Sequence, residues 1–139
     1  MGSSRAAPGF DRGPLSINFA RVLWGFPGGA LDDSDFDAAI TSTLSLELAE
    51  ITGRRASASA REYLALLACA IRETFEEAGV EFGDARDVFL ADHWVTPEHE
   101  SRRFDVRFFI ARVPDGQSAF VASGEADHAE WIRPTDALE

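Results

Sequence analysis

The sequence has very little cysteine and little positive charge, and it contains no long apolar run. Cys69 stands alone, which excludes an internal disulfide and any cysteine-rich zinc site. No apolar stretch approaches the roughly 18 residues needed to cross a bilayer, and Met1 to Gly9 lacks the apolar core of a signal peptide. Lys and Arg total 13 against 24 Asp and Glu, a formal net charge of −11. That balance argues against a nucleic-acid backbone or an anionic membrane surface as the main partner. A small phosphorylated ligand stays compatible, because a bound divalent cation can invert the local sign. What the chain does have is ordinary globular material: 139 residues, 45% hydrophobic and 27% charged, with 11 Phe and 3 Trp to fill a core. These features predict one soluble, cytoplasmic, acidic domain.

Residues 1–18, rich in Ser, Gly, Pro and Arg, read as a weakly structured lead-in to a domain over 19–139. Phe19 to Trp24 has strand-like composition and runs into Gly25-Phe26-Pro27-Gly28-Gly29, where helix and ladder must both stop. After an acidic stretch (Asp32 to Asp37), the spacing of Ile40, Leu44, Leu48 and Ile51 predicts a helix over 38–52. Residues 53–59 read as a loop. Ser59 with Glu62 then forms a capping-box signature for a helix over 60–78, whose apolar stripe is Leu64, Leu67, Ala68, Ile71, Phe75 and Ala78, and Gly79 stands where a terminating glycine belongs. The remainder reads as β: a strand over 88–95, an alternating strand from Phe104 to Ile110, a turn at Pro114-Asp115-Gly116, a return strand over 119–122 and a short strand at 130–132.

The densest chemical information lies in Arg72-Glu73-Thr74-Phe75-Glu76-Glu77-Ala78-Gly79-Val80. Glu73, Glu76 and Glu77 stand at i, i+3 and i+4, so one helical face carries three carboxylates, which the spacing from Ile71 places roughly opposite the apolar stripe. A charge run is usually a solvated face. Here, however, only Arg72 offers nearby compensation, and the triplet sits at the helix end where the macrodipole disfavours anions. Hard divalent cations such as Mg²⁺ or Mn²⁺ would relieve the repulsion through oxygen ligands. The other features read plainly. His93, His99 and His128 form no metal-ligand spacing, and Cys69 reads as a packed small residue. Asp33, Asp35 and Asp37 alternate as in an EF-hand, but Ala38 and Leu44 stand where that loop needs glycine and glutamate.

Arg72 to Val80 resembles the second half of the Nudix box, G-x5-E-x7-R-E-U-x-E-E-x-G-U with U apolar. With background usage of roughly 1 in 20 per position, a chance match to five fixed positions in this chain is on the order of one in ten thousand. Trp24-Gly25-Phe26-Pro27-Gly28-Gly29 is similar to the segment that precedes many such boxes. The two halves stand much further apart than usual, with residues 30–59 as an insertion and Asp35 at the early acidic position. This split box, with Trp94 to Glu98 and Arg103 to Phe109, resembles the insertion-bearing relatives of a peroxisomal coenzyme A diphosphatase.

The resemblance implies an α/β/α Nudix sandwich with a mixed sheet, abbreviated at both ends. It implies a pyrophosphohydrolase that uses Mg²⁺ or Mn²⁺ to cleave a diphosphate linkage in a nucleoside-diphosphate-linked small molecule, coenzyme A or an acyl-coenzyme A being the specific candidate. Carried onto this chain, Glu76 and Glu77 are the main metal ligands, Glu73 is a third ligand or the base, Arg72 orients the carboxylates, and the Gly28 carbonyl completes the shell. Arg103 and Arg107 are candidates to meet substrate phosphate, and Glu125 is the candidate acidic residue from a later loop. The polar stretch before Asn18 and the short carboxyl end predict an exposed sheet edge that invites a homodimer. Two competing classes stay open: a catalytically inactive Nudix domain that binds a phosphorylated ligand or a protein, and a structural domain with an acidic helix.

Overall fold

The computed structural model describes residues 26–39 and 44–124 and the single positions 131, 133 and 136. In chain order these form α1 (Asp33–Ala39), α2 (Leu46–Arg55), α3 (Ala60–Ala78), a 3-10 turn (Ala85–Asp87), and strands β1 (Val88–Val95) and β2 (Asp105–Ala111). The fold is α/β. No helix among the described residues is long and apolar enough to cross a membrane.

The axis of this arrangement is α3, and its ends lie where local chemistry sets them. The Ser59 hydroxyl accepts from the Glu62 N–H at 3.2 Å while the Glu62 carboxylate accepts from the Ser59 N–H at 2.8 Å, a reciprocal capping box. At the far end Gly79 takes φ 66° and donates to the Phe75 carbonyl at 2.9 Å. Leu64, Leu67 and Ala78 are buried as the period predicts and Ala68 and Ile71 are half-buried, but Phe75 is left largely exposed, and Tyr63, Thr74 and Glu77, outside the expected stripe, are buried. The single-stripe expectation fails because α3 packs against α1 and α2 as well as β2. A helix contacted from several directions buries more than one stripe.

The helix expected over 38–52 is corrected to two helices. Asp32 opens α1 by accepting from the Ser34 N–H at 2.9 Å, and Ser45 caps α2 by accepting from Leu48 at 3.3 Å. Leu48 and Ile51 of the expected stripe are exposed, whereas Ala49, Gly53 and Ala56 are buried. Small residues let α2 come close to the start of α3: a Cβ on Gly53 would lie 2.8 Å from the Ala58 carbonyl oxygen and 3.3 Å from Tyr63 Cβ.

The strands β1 and β2 pair antiparallel, with Val88 opposite Ala111 and Val95 opposite Asp105, and a bulge falls between Leu90 and Asp92. Val88 and Phe109 enter the core with Leu67, Val80 and Phe82. On the outer face Phe89 and Ile110 stand opposite one another and are exposed. The return strand expected over 119–122 takes another role. Phe120 donates its N–H to Ala78 at 3.1 Å and Ala122 donates to Glu77 at 3.0 Å. The last carbonyls of a helix have no partner within it, so this extended segment closes the end of α3 rather than a sheet. The turn at Pro114 forms, with the Gln117 N–H on the Pro114 carbonyl at 3.1 Å and Gly116 at φ 85°. The lead-in 1–18, the strand expected over 19–24 and nearly all of 130–132 lie outside the described residues, as do the parts of the mixed sheet they would supply.

Candidate active site

Arg72 is the organising side chain. It projects from the start of the last two turns of α3, and the Nε–Nη2 edge of its guanidinium grips both oxygens of Asp35 on α1, Nε to Oδ1 at 2.9 Å and Nη2 to Oδ2 at 3.0 Å. Nη1 reaches Glu73 at 2.7 Å and Glu76 at 3.2 Å, and Nη2 also meets the Ala30 carbonyl at 3.4 Å. This fork matches a carboxylate bidentately, which a lysine cannot do. The Asp35 hydrogen bond, reinforced by Glu73, holds the guanidinium above its ordinary range against the opposing effect of partial burial. Asp35 is almost fully buried and also accepts from the Asp32 N–H at 2.9 Å.

Glu73 lies directly beneath the glycine loop. A Cβ on Gly29 would collide with Glu73 Oε1 and would fall 2.5 Å from Cδ and 2.9 Å from Oε2. A side chain at position 29 would therefore push the Glu73 carboxylate from its place beside Arg72. Pro27 and Gly28 are buried in the same segment. Glu76 is the open member of the triplet, with its side chain about half exposed, while Glu77 is buried. The expectation that all three carboxylates face away from the packed side is corrected accordingly. Glu73 lies under the glycine loop, Glu77 is buried at the helix end where its carbonyl accepts from Ala122, and Glu76 alone stays about half exposed.

The other expected site residues are placed elsewhere or lie outside the description. Arg107 donates to the Ala56 carbonyl at 3.0 Å and the Ser57 carbonyl at 3.5 Å and pairs with Asp105 at 2.7 Å. It thereby closes the end of α2, beside the first turn of α3 and at the opposite end of that helix from Glu73, Glu76 and Glu77. Arg103 is exposed and donates to the Thr96 carbonyl at 3.3 Å. Glu125 lies outside the described residues. Two things escaped the sequence reading. Cys69 Sγ lies 3.5 Å from the Ala30 carbonyl oxygen, and Asp105 joins His93 at 2.5 Å as well as Arg107. The second was legible in principle, since strand alternation puts Asp105, Arg107 and His93 on one face once the register is known.

Burial alone would raise the Asp105 carboxyl, but the hydrogen bonds from His93 and Arg107 outweigh it and hold the group below the usual aspartate range. Glu62 is likewise lowered, first by the Ser59 backbone N–H, and Asp32 by that of Ser34. A carboxyl whose pKa is depressed in the fold contributes stability above its unfolded value, about 3.9 for Asp and 4.3 for Glu, and loses it as pH falls through the folded value. Thermal unfolding is expected to show a Tm that declines below about pH 4. Asp105→Asn should flatten part of that decline, and an unaltered acid limb would refute the assignment.

A family model for the NUDIX domain matches residues 60–139, more than half of the chain. The chain belongs to the Nudix family. No curated protein and no solved structure gives a significant match. Membership makes it a Nudix-type hydrolase of pyrophosphate bonds acting on a small molecule, and Nudix enzymes generally use divalent metal ions. The residues here suit such an ion in donor chemistry, because Glu73, Glu76 and Glu77 are hard oxygen donors on one helix end and Glu73 lies against a glycine where a Cβ would fill the space. Among the described residues no three acidic, His or Cys side chains converge as a finished cage. Arg72 instead holds Glu73 and Glu76 together.

Proposed function

We propose that this Nudix hydrolase cleaves the diphosphate linkage of a nucleoside-diphosphate-linked substrate, with coenzyme A or an acyl-coenzyme A as the specific candidate, in the presence of Mg²⁺ or Mn²⁺. The observation that carries the reading is the contact of Gly29 with Glu73. The glycine loop and the carboxylate helix, far apart in the chain, meet at backbone distance with Arg72 bridging Asp35, Glu73 and Glu76. A loop without side chains over a cluster of carboxylates is a place where a phosphate chain and a hard cation can be held together.

Glu76, Glu77, Glu73 and the Gly28 carbonyl would hold the ion. When bound, it neutralises phosphate charge and lowers the pKa of coordinated water. The chain's own residues supply the rest. Glu73, a third ligand or the base, is within reach of a water at the loop and can accept its proton. Arg72 keeps Glu73 and Glu76 in place and offsets their mutual repulsion. Arg103, exposed on the connection between β1 and β2, is available to a phosphate. Arg107 supports the scaffold where α2 meets α3, and Glu125 is the proposed further acidic residue.

The test is product release from coenzyme A, acetyl-coenzyme A, NADH, ADP-ribose and a nucleoside triphosphate, each with Mg²⁺ or Mn²⁺. Release of two phosphate-ester products that falls to background in Glu76→Gln is the expected result, with coenzyme A or its thioester preferred. Preference for another member of the panel would overturn the coenzyme A assignment alone. No cleavage by a folded sample would replace the enzyme with a phosphorylated-ligand binding module.

A further inference from the structure

We infer that Cys69 is a positioning residue of this site, its thiol clamping the glycine loop over Glu73 and bracing Arg72. The inference rests on the hydrolase reading of the same site for its kinetic consequence, though not for its structural one. Cys69, Arg72 and Glu73 stand at i, i+3 and i+4 and so share a face of α3. The buried sulfur lies 3.5 Å from the Ala30 carbonyl oxygen and 3.8 Å from that of Gly29, and Arg72 Nη2 approaches it at 3.6 Å. A thiol is a weak donor and a weak acceptor, and this one is placed to be both: its S–H toward the loop carbonyls, its lone pair toward the guanidinium. Arg72 Nη2 also reaches Ala30 at 3.4 Å, so the sulfur, the carbonyl and the guanidinium close a small ring around one turn of helix.

A buried cysteine ordinarily packs as a small hydrophobe. Here the atoms around the sulfur include two carbonyl oxygens and a guanidinium nitrogen, and the loop they belong to has no slack. Gly29 already sits where a Cβ would strike Glu73, so any shift of the loop on α3 moves or frees that carboxylate. The long C–S bond also spans a gap that a hydroxyl at the same position would not fully close. Cys69 would thereby set the place of Glu73 without touching a phosphate.

Two variants separate this from simple packing. Cys69→Val keeps the site filled, with one γ-methyl more than the thiol needs, and removes donor and acceptor; Cys69→Ser keeps both at shorter reach. In Cys69→Val the amides of residues 28–31 are expected to exchange with solvent about tenfold faster, the scale of one weak hydrogen bond lost locally, while those of Val88–Val95 stay unchanged. The Arg72 Nε–H resonance should shift with them. For the substrate found in the panel, kcat should fall about tenfold with KM within about twofold, and the half-saturating Mn²⁺ concentration should rise by a similar factor. Cys69→Ser should recover part of each change.

Unchanged loop exchange in Cys69→Val would overturn the clamp. So would a rise shared equally by the loop and β1, the mark of packing alone, or a serine variant no better than valine. The exchange experiment reads the clamp in a protein with no hydrolase activity, so an inactive wild type would defeat the proposed reaction without deciding this inference.

Discussion

Arg72→Ala is expected to destabilise the protein by about 3–5 kcal/mol, the cost of leaving a buried carboxylate without its partner. Asp35 is the reason. Its side chain is 2% exposed, and both its oxygens are bound by the Arg72 fork at 2.9 and 3.0 Å. The arginine is itself 29% exposed, so solvent can reach part of the vacated space and the lower end of the range applies. Its removal also leaves Glu73 and Glu76 without the cation between them. In thermal unfolding the loss corresponds to roughly 10 °C in Tm for a chain of this size.

Arg72→Lys should recover less than half, because an ammonium is a point charge and cannot reproduce the bidentate grip. Asp35→Asn combined with Arg72→Ala should be more stable than Arg72→Ala alone, since a neutral amide costs less to bury than an unpaired charge. Denaturant midpoints of these proteins, with Asp35→Asn alone completing the cycle, supply the coupling. A loss below about 1 kcal/mol in Arg72→Ala would mean that the pair behaves as an exposed ion pair and does not join α1 to α3.

Gly79→Ala is expected to cost about 2–5 kcal/mol through two separable causes. The left-handed backbone at φ 66° disfavours any Cβ by roughly 1–2 kcal/mol. The added Cβ would also strike the Phe120 ring, whose Cδ1 would lie 3.0 Å away with Cε1 and Cζ closer still, and overpacking of this kind costs roughly 1–3 kcal/mol. Phe120 is more than half exposed and its ring can swing, but its N–H is bound to Ala78 and limits how far the segment retreats. Phe120→Ala in the Gly79→Ala background should therefore restore the packing share and leave the backbone share, a coupling of about 0.5–3 kcal/mol. Strict additivity in denaturant unfolding would show that ring and helix end do not touch. Because Phe120 and Ala122 hold the carbonyls of Ala78 and Glu77, the same substitution should loosen the turn that carries Glu76 and Glu77.

The bounds of α3, its capping box and its terminating glycine were legible because each depends on residues within one turn of it. The limits of β1 followed from its strand-like run ahead of Pro97, and alternation placed β2 over 104–110, one residue ahead of Asp105–Ala111 at each end. Legibility failed at one local cap that was passed over, Ser45, and otherwise where a neighbour distant in the chain intervened. Ser45 split one expected helix into two, the small residues Ala49, Gly53 and Ala56 rather than Leu48 and Ile51 took the buried face of α2, and 119–122 turned to the end of α3 instead of a strand.

The sequence by itself therefore determined the catalytic-type helix, the spacing of its three carboxylates and, through Arg72 to Val80, the Nudix family resemblance. These are properties of contiguous residues under a fixed helical period. Only the tertiary structure decided that Asp35 meets Arg72, that Gly29 lies over Glu73 with Cys69 beside it, and that Arg107 serves the joint between α2 and α3. Each of those contacts joins positions 37 to 51 residues apart, and no local propensity specifies which distant partner a buried polar group will find. That choice falls to the packing of α1, α2 and β2 around α3, which brings Asp35 against Arg72 and Arg107 against the end of α2.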